Sequence, residues 1–473
     1  MRSLILHLIG SLSLTLANNW HPSDPCPTAI DQTVPGGPNA TFPTMASIHA
    51  AMLTCPDIAI LKVRVNTMMG CRTFPDRYNF PFDLLGGERY ASAPLVLSLD
   101  GYRPDESEWD RLGEVANPVF YDNLADWVLS SNVWQWVRCR FLSRSQRSKT
   151  NLDLWLDAMD FSRIHTLQLN RTQGAYMYAL TEQVAQKLPP KLTNLESLAV
   201  YGFKAEQFIL ALPKSALKHL SWKNPWGSGK ACFYEPRALL EPLLQHHGSS
   251  LESLDYHTDE SVTCPPLALS IDELHQLVSL APKLSSLTID LGRESNGTGS
   301  DLHWPWEKLQ LLAEGLPELT DLTIYFELAA ECTRYGGPNY SFDDWYFDNQ
   351  PFEPCLGPDR FAHPLLDEGS AMDMTRFLLQ HTSSQRLRTV SFRAGDWEAV
   401  WDDGPFYHRP LYRVPWLKDK RAWATCVLDN STSNGEKTEP FSGQVACDAG
   451  HSSRLDEDDK PQYLCETPRK CQG

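Results

Sequence analysis

The chain lacks the short motifs that identify most hydrolases, metalloenzymes and nucleotide-binding proteins. It contains no Gly-x-Ser-x-Gly elbow and no His-Glu-x-x-His pair. The fragment Gly227–Lys230 lacks both the leading glycine and the following Ser or Thr of a phosphate loop, so it is interpreted as a turn. No two cysteines have the C-x-x-C spacing of zinc and redox sites. These absences predict no catalytic residue, no metal and no cofactor.

Positive charge is also scarce. The chain has 42 Lys and Arg against 59 Asp and Glu, a formal net charge of -17. Such a balance opposes binding to nucleic acid, heparin or acidic lipid.

Long hydrophobic runs are absent after the N-terminus. The one apolar run, Leu4–Leu16, is too short to cross a bilayer, and small residues precede a cleavage point after Ala17. A membrane anchor is the alternative interpretation, and the length of the run argues against it. We expect a signal peptide at 1–17, a secreted extracellular protein, and no membrane insertion.

Cysteines and glycosylation sequons agree with that compartment. All 12 cysteines follow residue 17, an even number suited to disulfides. We favour the pairs Cys232–Cys264 and Cys332–Cys355, with the four C-terminal cysteines pairing among themselves; these are Cys426, Cys447, Cys465 and Cys471. The predicted glycosylation sites are Asn39, Asn170, Asn296, Asn339 and Asn430.

One pattern recurs seven times: Leu-x-x-Leu-x-apolar, with apolar residues at positions 1, 4 and 6. Each such module leaves a hydrophobic face that only its neighbours can bury, which is typical of stacked repeats. A further copy lies at Pro56–Val63, with looser ones at Pro94–Leu99 and Trp134–Cys139. The seven copies begin at Ile164, Leu195, Leu217, Leu251, Leu284, Leu319 and Leu387.

Helical periodicity fills the intervals between the copies. Ser270 and Glu273 form a predicted capping box ahead of an amphipathic run that ends at Leu280. Another helix is predicted over 236–247, with Gly248 as a left-handed cap. His246 and His247 fall in its last turn, where cations favour the helix dipole, and no ligand-spaced partner accompanies them.

With these repeats and the helices between them, the chain resembles leucine-rich-repeat proteins of the ribonuclease-inhibitor-like type, especially the irregular fungal forms labelled F-box-like. The resemblance covers about residues 55–400. No F-box is present. The Asn or Cys of the family's position 9 is missing here: that position holds Thr172, Phe203, Pro225, Asp259, Gly292, Glu327 and Gly395. The resemblance implies an α/β fold, a curved solenoid with a parallel sheet on its concave face and helices on its convex face.

Domain boundaries follow from where the repeats begin and end. We expect an N-terminal cap at 18–54, the solenoid at 55–403, and a cysteine-containing, disulfide-stapled cap or tail at 404–473. An insert at about 329–365 is either a degenerate repeat or a protruding loop. Its acidic and aromatic residues suit carbohydrate or protein contact: Asp343, Asp344, Trp345 and Tyr346. As a glycosidase pair the two adjacent aspartates are disfavoured, since neighbours on a strand point to opposite faces.

The repeat frame also predicts a binding surface. With positions 4 and 6 buried, positions 3, 5 and 7 point to the opposite face of the sheet. Positions 3 and 5 are mostly small or hydroxylated, whereas position 7 carries larger side chains of interface type; the alternative is that position 7 forms only a solvated edge. We expect a non-enzymatic protein that binds a protein or carbohydrate ligand; the alternatives are a hydrolase with an unrecognised site and a structural cell-surface component. The predicted ligand-binding residues are Tyr201, Lys223, His257, Asp290, Tyr325 and Arg393.

Overall fold

The computed structural model describes the chain in ranges separated by gaps. The described residues fall into two compact units, one within 1–67 and 74–164 and the other within 68–73 and 165–473. Both units are built from α-helices and mostly parallel β-strands, so the fold class is α/β. The described residues are 20–34, 36–37, 39–65, 80, 82, 84, 88–102, 104, 149–169, 180–202, 205–223, 240–258, 260, 268–295, 302–330, 361–382, 386–395, 397, 420–429 and 444–451.

The described part of the N-terminal unit contains three parallel strands in chain order. Strand β2 pairs with β1 on one side and β3 on the other. A disulfide joins Cys26, just before β1, to Cys55, just after α1. The segment predicted as a cap at 18–54 therefore supplies an edge strand and the first helix. The elements are β1 (Ala29–Val34), α1 (Met45–Thr54), β2 (Ile60–Val65), β3 (Val96–Asp100) and α2 (Asn151–Ala158).

Aromatic side chains form much of the core of this unit. The Trp155 indole is 2% exposed and donates a hydrogen bond of 2.9 Å to the Tyr102 hydroxyl. Phe80 meets the same indole edge-on, with ring centroids 4.8 Å apart. Edge-to-face geometry adds to the burial of apolar area, so this cluster fixes α2 against β3.

The C-terminal unit repeats the strand–helix arrangement. Its sheet has the order β4-β5-β6-β7-β8-β11-β12-β13-β14, parallel as far as β12 and antiparallel thereafter where pairing is described. Strands β9 (Glu294–Ser295) and β10 (Leu302–His303) pair separately. The other strands are β4 (Thr166–Leu169), β5 (Ser197–Tyr201), β6 (His219–Lys223), β7 (Ser253–His257), β8 (Ser286–Asp290), β11 (Asp321–Phe326), β12 (Thr389–Gly395), β13 (Arg421–Asp429) and β14 (Gln444–His451).

Within the described residues, six helices return the chain between these strands. Successive helices contact one another. Because parallel neighbours require a crossover, each helix brings the chain back to the starting end of the sheet. The helices are α3 (Glu182–Lys187), α4 (Ala205–Ala211), α5 (Leu240–His247), α6 (Ile271–Leu280), α7 (Trp306–Gly315) and α8 (Glu368–His381).

The predicted repeat frame is confirmed strand by strand. Each of the seven copies places the first residue of its strand at position 3, and the additional copy at Pro56–Val63 does the same for β2. Side chains at positions 4 and 6 are at most 4% exposed in all seven. The hydrophobic core of the C-terminal unit therefore lies on the face of the sheet that these two positions share.

The predicted helix ends are confirmed in one case and wrong in another. The Ser270 hydroxyl accepts from the Glu273 amide, and the Glu273 carboxylate accepts from the Ser270 amide at 2.9 Å. The left-handed cap at Gly248 is wrong, since this glycine begins a 3-10 turn and is absent from the glycines with positive φ. A Cβ here would lie 2.5 Å from the Leu280 carbonyl oxygen, so a close approach requires the glycine.

Candidate ligand-binding face of the sheet

One face of the C-terminal sheet stays open along two rows of short polar side chains. Positions 3 and 5 alternate with the buried positions 4 and 6, and nearly all are partly or fully exposed; Ser391, at 7%, is the buried exception. These rows form the open face: Thr166, Ser197, His219, Ser253, Ser286, Asp321 and Thr389 at position 3, and Gln168, Ala199, Ser221, Asp255, Thr288, Thr323 and Ser391 at position 5.

The row at position 7 borders this face and contains the six predicted ligand-binding residues. Tyr201 and Lys223 are direct partners across β5 and β6, and Lys223 is exposed. At the other end of the row, Tyr325 pairs with Arg393, which is partly exposed. The middle is more enclosed: His257 is 2%, Asp290 0% and Tyr325 9% exposed.

An aromatic stack explains the enclosed middle of the row. The His257 and Tyr325 rings are nearly parallel, at 4° with centroids 4.4 Å apart. The two rings meet across β8, the strand between them, and so cover Asp290. One Asp290 carboxylate oxygen accepts from the Thr258 amide at 2.7 Å. Asp290 is therefore buried under the two rings, where it binds the backbone that follows β7.

Asp255, at position 5, links the stack to the open face. Its carboxylate accepts from the Ser221 hydroxyl at 2.8 Å and lies 2.5 Å from the His257 Nδ1. Burial by itself would raise the pKa of Asp255, but the hydrogen bond and charge of His257, with Lys223 and Ser221, hold the pKa below its ordinary value. A carboxylate anion thus orients the His257 ring that stacks on Tyr325.

Arg393 extends the stack toward the C-terminal hairpin. Its Nη1 donates to the Tyr325 hydroxyl at 3.0 Å, and its guanidinium lies 4.8 Å from the centroid of the Trp397 ring. The Trp397 indole donates in turn to the Ala394 carbonyl at 2.9 Å. Cation–π contact and hydrogen bonds therefore fix the geometry of both side chains.

Strands β13 and β14 continue the open face beyond the repeats. Trp423 lies opposite Arg393, and Thr425 lies opposite Ser391. The Trp423 indole packs against Gly450, where a Cβ would lie 2.6 Å from the ring. Trp397, Arg421 and Trp423 were not among the residues predicted from the sequence; the alternation Arg421-Ala-Trp423-Ala-Thr425 is the strand signal that could have located the last two.

The remaining predictions are tested only where residues are described. Cys426 and Cys447 form a disulfide between β13 and β14, while Asn39 is exposed, as a glycan would require. The cysteine pair Cys26–Cys55 was not among the predicted pairs. Other predicted residues lie outside the described ranges: Asp343, Asp344, Trp345, Tyr346, Asn170, Asn296, Asn339, Asn430, Cys232, Cys264, Cys332, Cys355, Cys465 and Cys471. The signal peptide at 1–17 also lies outside them.

The described ranges contain neither a membrane-crossing helix nor a cluster of metal ligands. Within them, no helix combines the length and apolar character needed to cross a membrane. Among the same residues, no group of three or more His, Cys, Asp or Glu side chains is arranged to hold a metal ion.

Comparison with known proteins does not assign the chain to a class. No protein-family model matches it, and no curated protein sequence matches it.

Proposed function

We propose that this protein is a secreted, non-enzymatic binding module of the leucine-rich-repeat kind, and that its open face binds a protein or carbohydrate ligand. One observation carries the proposal. A sheet face of mostly short, polar side chains is bordered by the row at position 7, and Trp397 and Trp423 lie beside its end at Tyr325 and Arg393. Tyr, Trp and Arg are the side chains that dominate binding energy at interfaces.

The geometry around Asp255 favours binding over catalysis. In a nucleophilic triad the imidazole lies between the hydroxyl and the carboxylate, so that it can take the hydroxyl proton. Here the carboxylate lies between Ser221 and His257. The Ser221 hydroxyl donates to an anion and is not activated by the imidazole, which supports a structural role for the three residues.

A pull-down from the protein's native medium tests the proposal. We expect the wild-type protein to retain a ligand that the Tyr201→Ala, Tyr325→Ala, Arg393→Ala triple variant loses, each residue contributing about 1 to 3 kcal/mol as interface anchors do. A matched control replaces three exposed residues of the helical side, Gln183, Lys191 and Arg376, with alanine.

Two results would contradict the proposal. Equal ligand recovery with the triple variant and the wild type would show that the row at position 7 does not bind the ligand. Turnover of fluorogenic ester or glycoside substrates by the purified protein would show that it is an enzyme. Secretion yield and melting temperature of each variant separate lost binding from lost folding, since Tyr325 is largely buried.

A further inference from the structure

Five side chains at the C-terminal end of row 7 form a connected group, which we call the Arg393 cluster: Tyr325, Arg393, Trp397, Arg421 and Trp423. Arg393 and Arg421 both lie against the Trp397 ring, with distances of 4.8 Å and 5.4 Å to its centroid. Trp397 and Trp423 meet edge to face at 6.1 Å. Two cations and three aromatic rings therefore share one end of the open face.

Arg393 retains hydrogen-bonding capacity on one edge of its guanidinium. Nη1 donates to Tyr325, and among the residues that the structure describes no carboxylate lies within ion-pairing distance of Arg393. Nε and Nη2 form the other edge, a two-donor fork whose geometry matches a carboxylate. Because Tyr325 and Trp397 hold the guanidinium, this fork is ordered before a ligand arrives.

Trp423 supplies an apolar surface beside that fork. It lies directly across from Arg393, and its indole covers the backbone of Gly450. Its side chain is partly exposed. An aromatic ring in this position can pack against the C–H face of a sugar ring while the neighbouring guanidinium binds a charged substituent of the same sugar.

The surroundings of the cluster favour a carbohydrate over a peptide. Next to it, Thr323 and Ser391 at position 5, with Thr425 on β13, carry hydroxyl groups on successive strands; Thr323 and Thr425 are partly exposed, whereas Ser391 is buried and shares a 3.2 Å hydrogen bond with Thr425. The two partly exposed hydroxyls can hydrogen-bond to sugar hydroxyls, and none of these three side chains is apolar, so the row offers little for an apolar peptide side chain to pack against. The net charge of -17 repels a densely charged polyanion, which favours a ligand with few carboxylates.

We propose that the Arg393 cluster binds a uronic acid residue of a carbohydrate. The sugar carboxylate pairs with the Nε–Nη2 edge of Arg393, and the sugar ring packs on Trp423. This inference rests on the proposed binding function and names the ligand class of the same site.

Titration of purified protein with short uronic acid oligomers tests the proposal, using tryptophan fluorescence and calorimetry. The probes are tri-galacturonic acid and a glucuronic-acid trisaccharide, each compared with its neutral methyl ester. We expect at least one acid to bind. Its ester should bind at least about tenfold more weakly, because esterification removes the charge that the guanidinium recognises.

Variants assign the binding to the cluster. Arg393→Lys keeps the charge but removes the fork, and we expect about tenfold weaker binding of the acid. Trp423→Phe should weaken both acid and ester, whereas Trp423→Ala risks loosening the hairpin. The control is Arg388→Lys, an exposed arginine just before β12, which should leave affinity unchanged.

Several outcomes would overturn the inference. These are the absence of binding by either acid up to millimolar concentration, equal affinity for acid and ester, and full affinity in Arg393→Lys. Arg393-dependent binding of an acidic peptide, without binding of the uronic acids, would also overturn it. If the pull-down ligand still depends on row 7 in such a case, the proposed binding function stands and the sugar assignment alone fails.

Discussion

At the scale of single residues, His247 shows how burial changes the role that a position in a helix suggests. The last turn of α5 favours a cation, and on that basis His247 is expected to be charged. Instead its side chain is 0% exposed, with Nε2 3.1 Å from the Ile209 carbonyl oxygen and no hydrogen-bond partner for Nδ1 among the described residues. A second proton would therefore be buried without an acceptor.

This environment predicts a loss of stability in acid. Burial, opposed by the Ile209 carbonyl and reinforced by His246, lowers the pKa of His247 from 6.5 to about 4. Above pH 6.5 the ring is neutral in both the folded and the unfolded chain, and the free energy of unfolding has its full value. As pH falls from 6.5 to 4 the unfolded chain binds the proton more tightly, so the free energy of unfolding decreases. At about 1.4 kcal/mol per pKa unit, roughly 3 kcal/mol is lost.

Urea unfolding at pH 7 and pH 4.5 measures this effect. We expect His247→Phe, which cannot titrate, to lose less stability between these pH values than the wild type. His246→Phe, at the neighbouring partly exposed position, serves as the control. The same pH dependence in His247→Phe and wild type would mean that another group is responsible.

At the scale of elements, side chains complete the turns that follow the strands. The leucine-rich-repeat consensus that the sequence resembles uses Asn or Cys at position 9 for this purpose, and those residues are missing here. Asp290 accepts from the Thr258 amide, Trp222 donates to the Gly202 carbonyl at 2.8 Å, and Lys308 donates to the Leu291 carbonyl at 3.2 Å. Side chains of the next repeat, Asp290 and Trp222, or of the following helix, Lys308, thus satisfy the turn backbone.

Glycine completes two of these turns by its conformational freedom. Gly292 and Gly395, both at position 9, have φ of 64° and 93°, values that residues with a Cβ rarely adopt. At Gly395 a Cβ would also lie 2.2 Å from the Lys420 carbonyl oxygen, at the start of β13. This position therefore determines whether the C-terminal hairpin can pair with β12.

Gly395→Ala should destabilise that pairing by at least about 2 kcal/mol, since backbone strain and steric overlap act together. Hydrogen exchange would report it as lost protection in β13 and β14. Gly369→Ala in the first turn of α8 is the matched control: its Cβ meets nothing closer than 3.6 Å, and alanine favours helix by up to about 1 kcal/mol. Unchanged protection in Gly395→Ala would contradict this account of the turn.

The sequence predicts the strands of the repeats well, because an alternation of apolar residues reports directly which side chains are buried. All seven strands begin at position 3 for that reason. It predicts β13 and β14 poorly, since acidic and polar residues around them obscure two short alternating segments. At the site, position 7 was identified from the frame alone, but the burial of Asp290 depends on a ring stack between strands that are not neighbours. No periodicity within one strand contains that information.

At the scale of the whole molecule, disulfides secure the outermost strands of the described sheets. Cys26–Cys55 closes the segment that contains β1 and α1, and Cys426–Cys447 joins β13 to β14. An edge strand has fewer neighbours than a central one, so a covalent link there offsets what packing does not supply. Closing a loop with a sequence separation of 21 contributes about 3 kcal/mol in the chain-entropy model.

Disulfides persist in oxidising compartments, which ties this architecture to the proposed secretion. Expressed in a eukaryotic secretory host, the protein should begin at Asn18, as N-terminal sequencing would show. It should also shrink on a gel after enzymatic removal of N-glycans, with exposed Asn39 among the modified sites.

Thiol labelling of the native protein should find no reactive cysteine. An intact Met1, an unchanged gel mobility or several labelled cysteines would each contradict secretion. Asn39→Gln should remove one glycan.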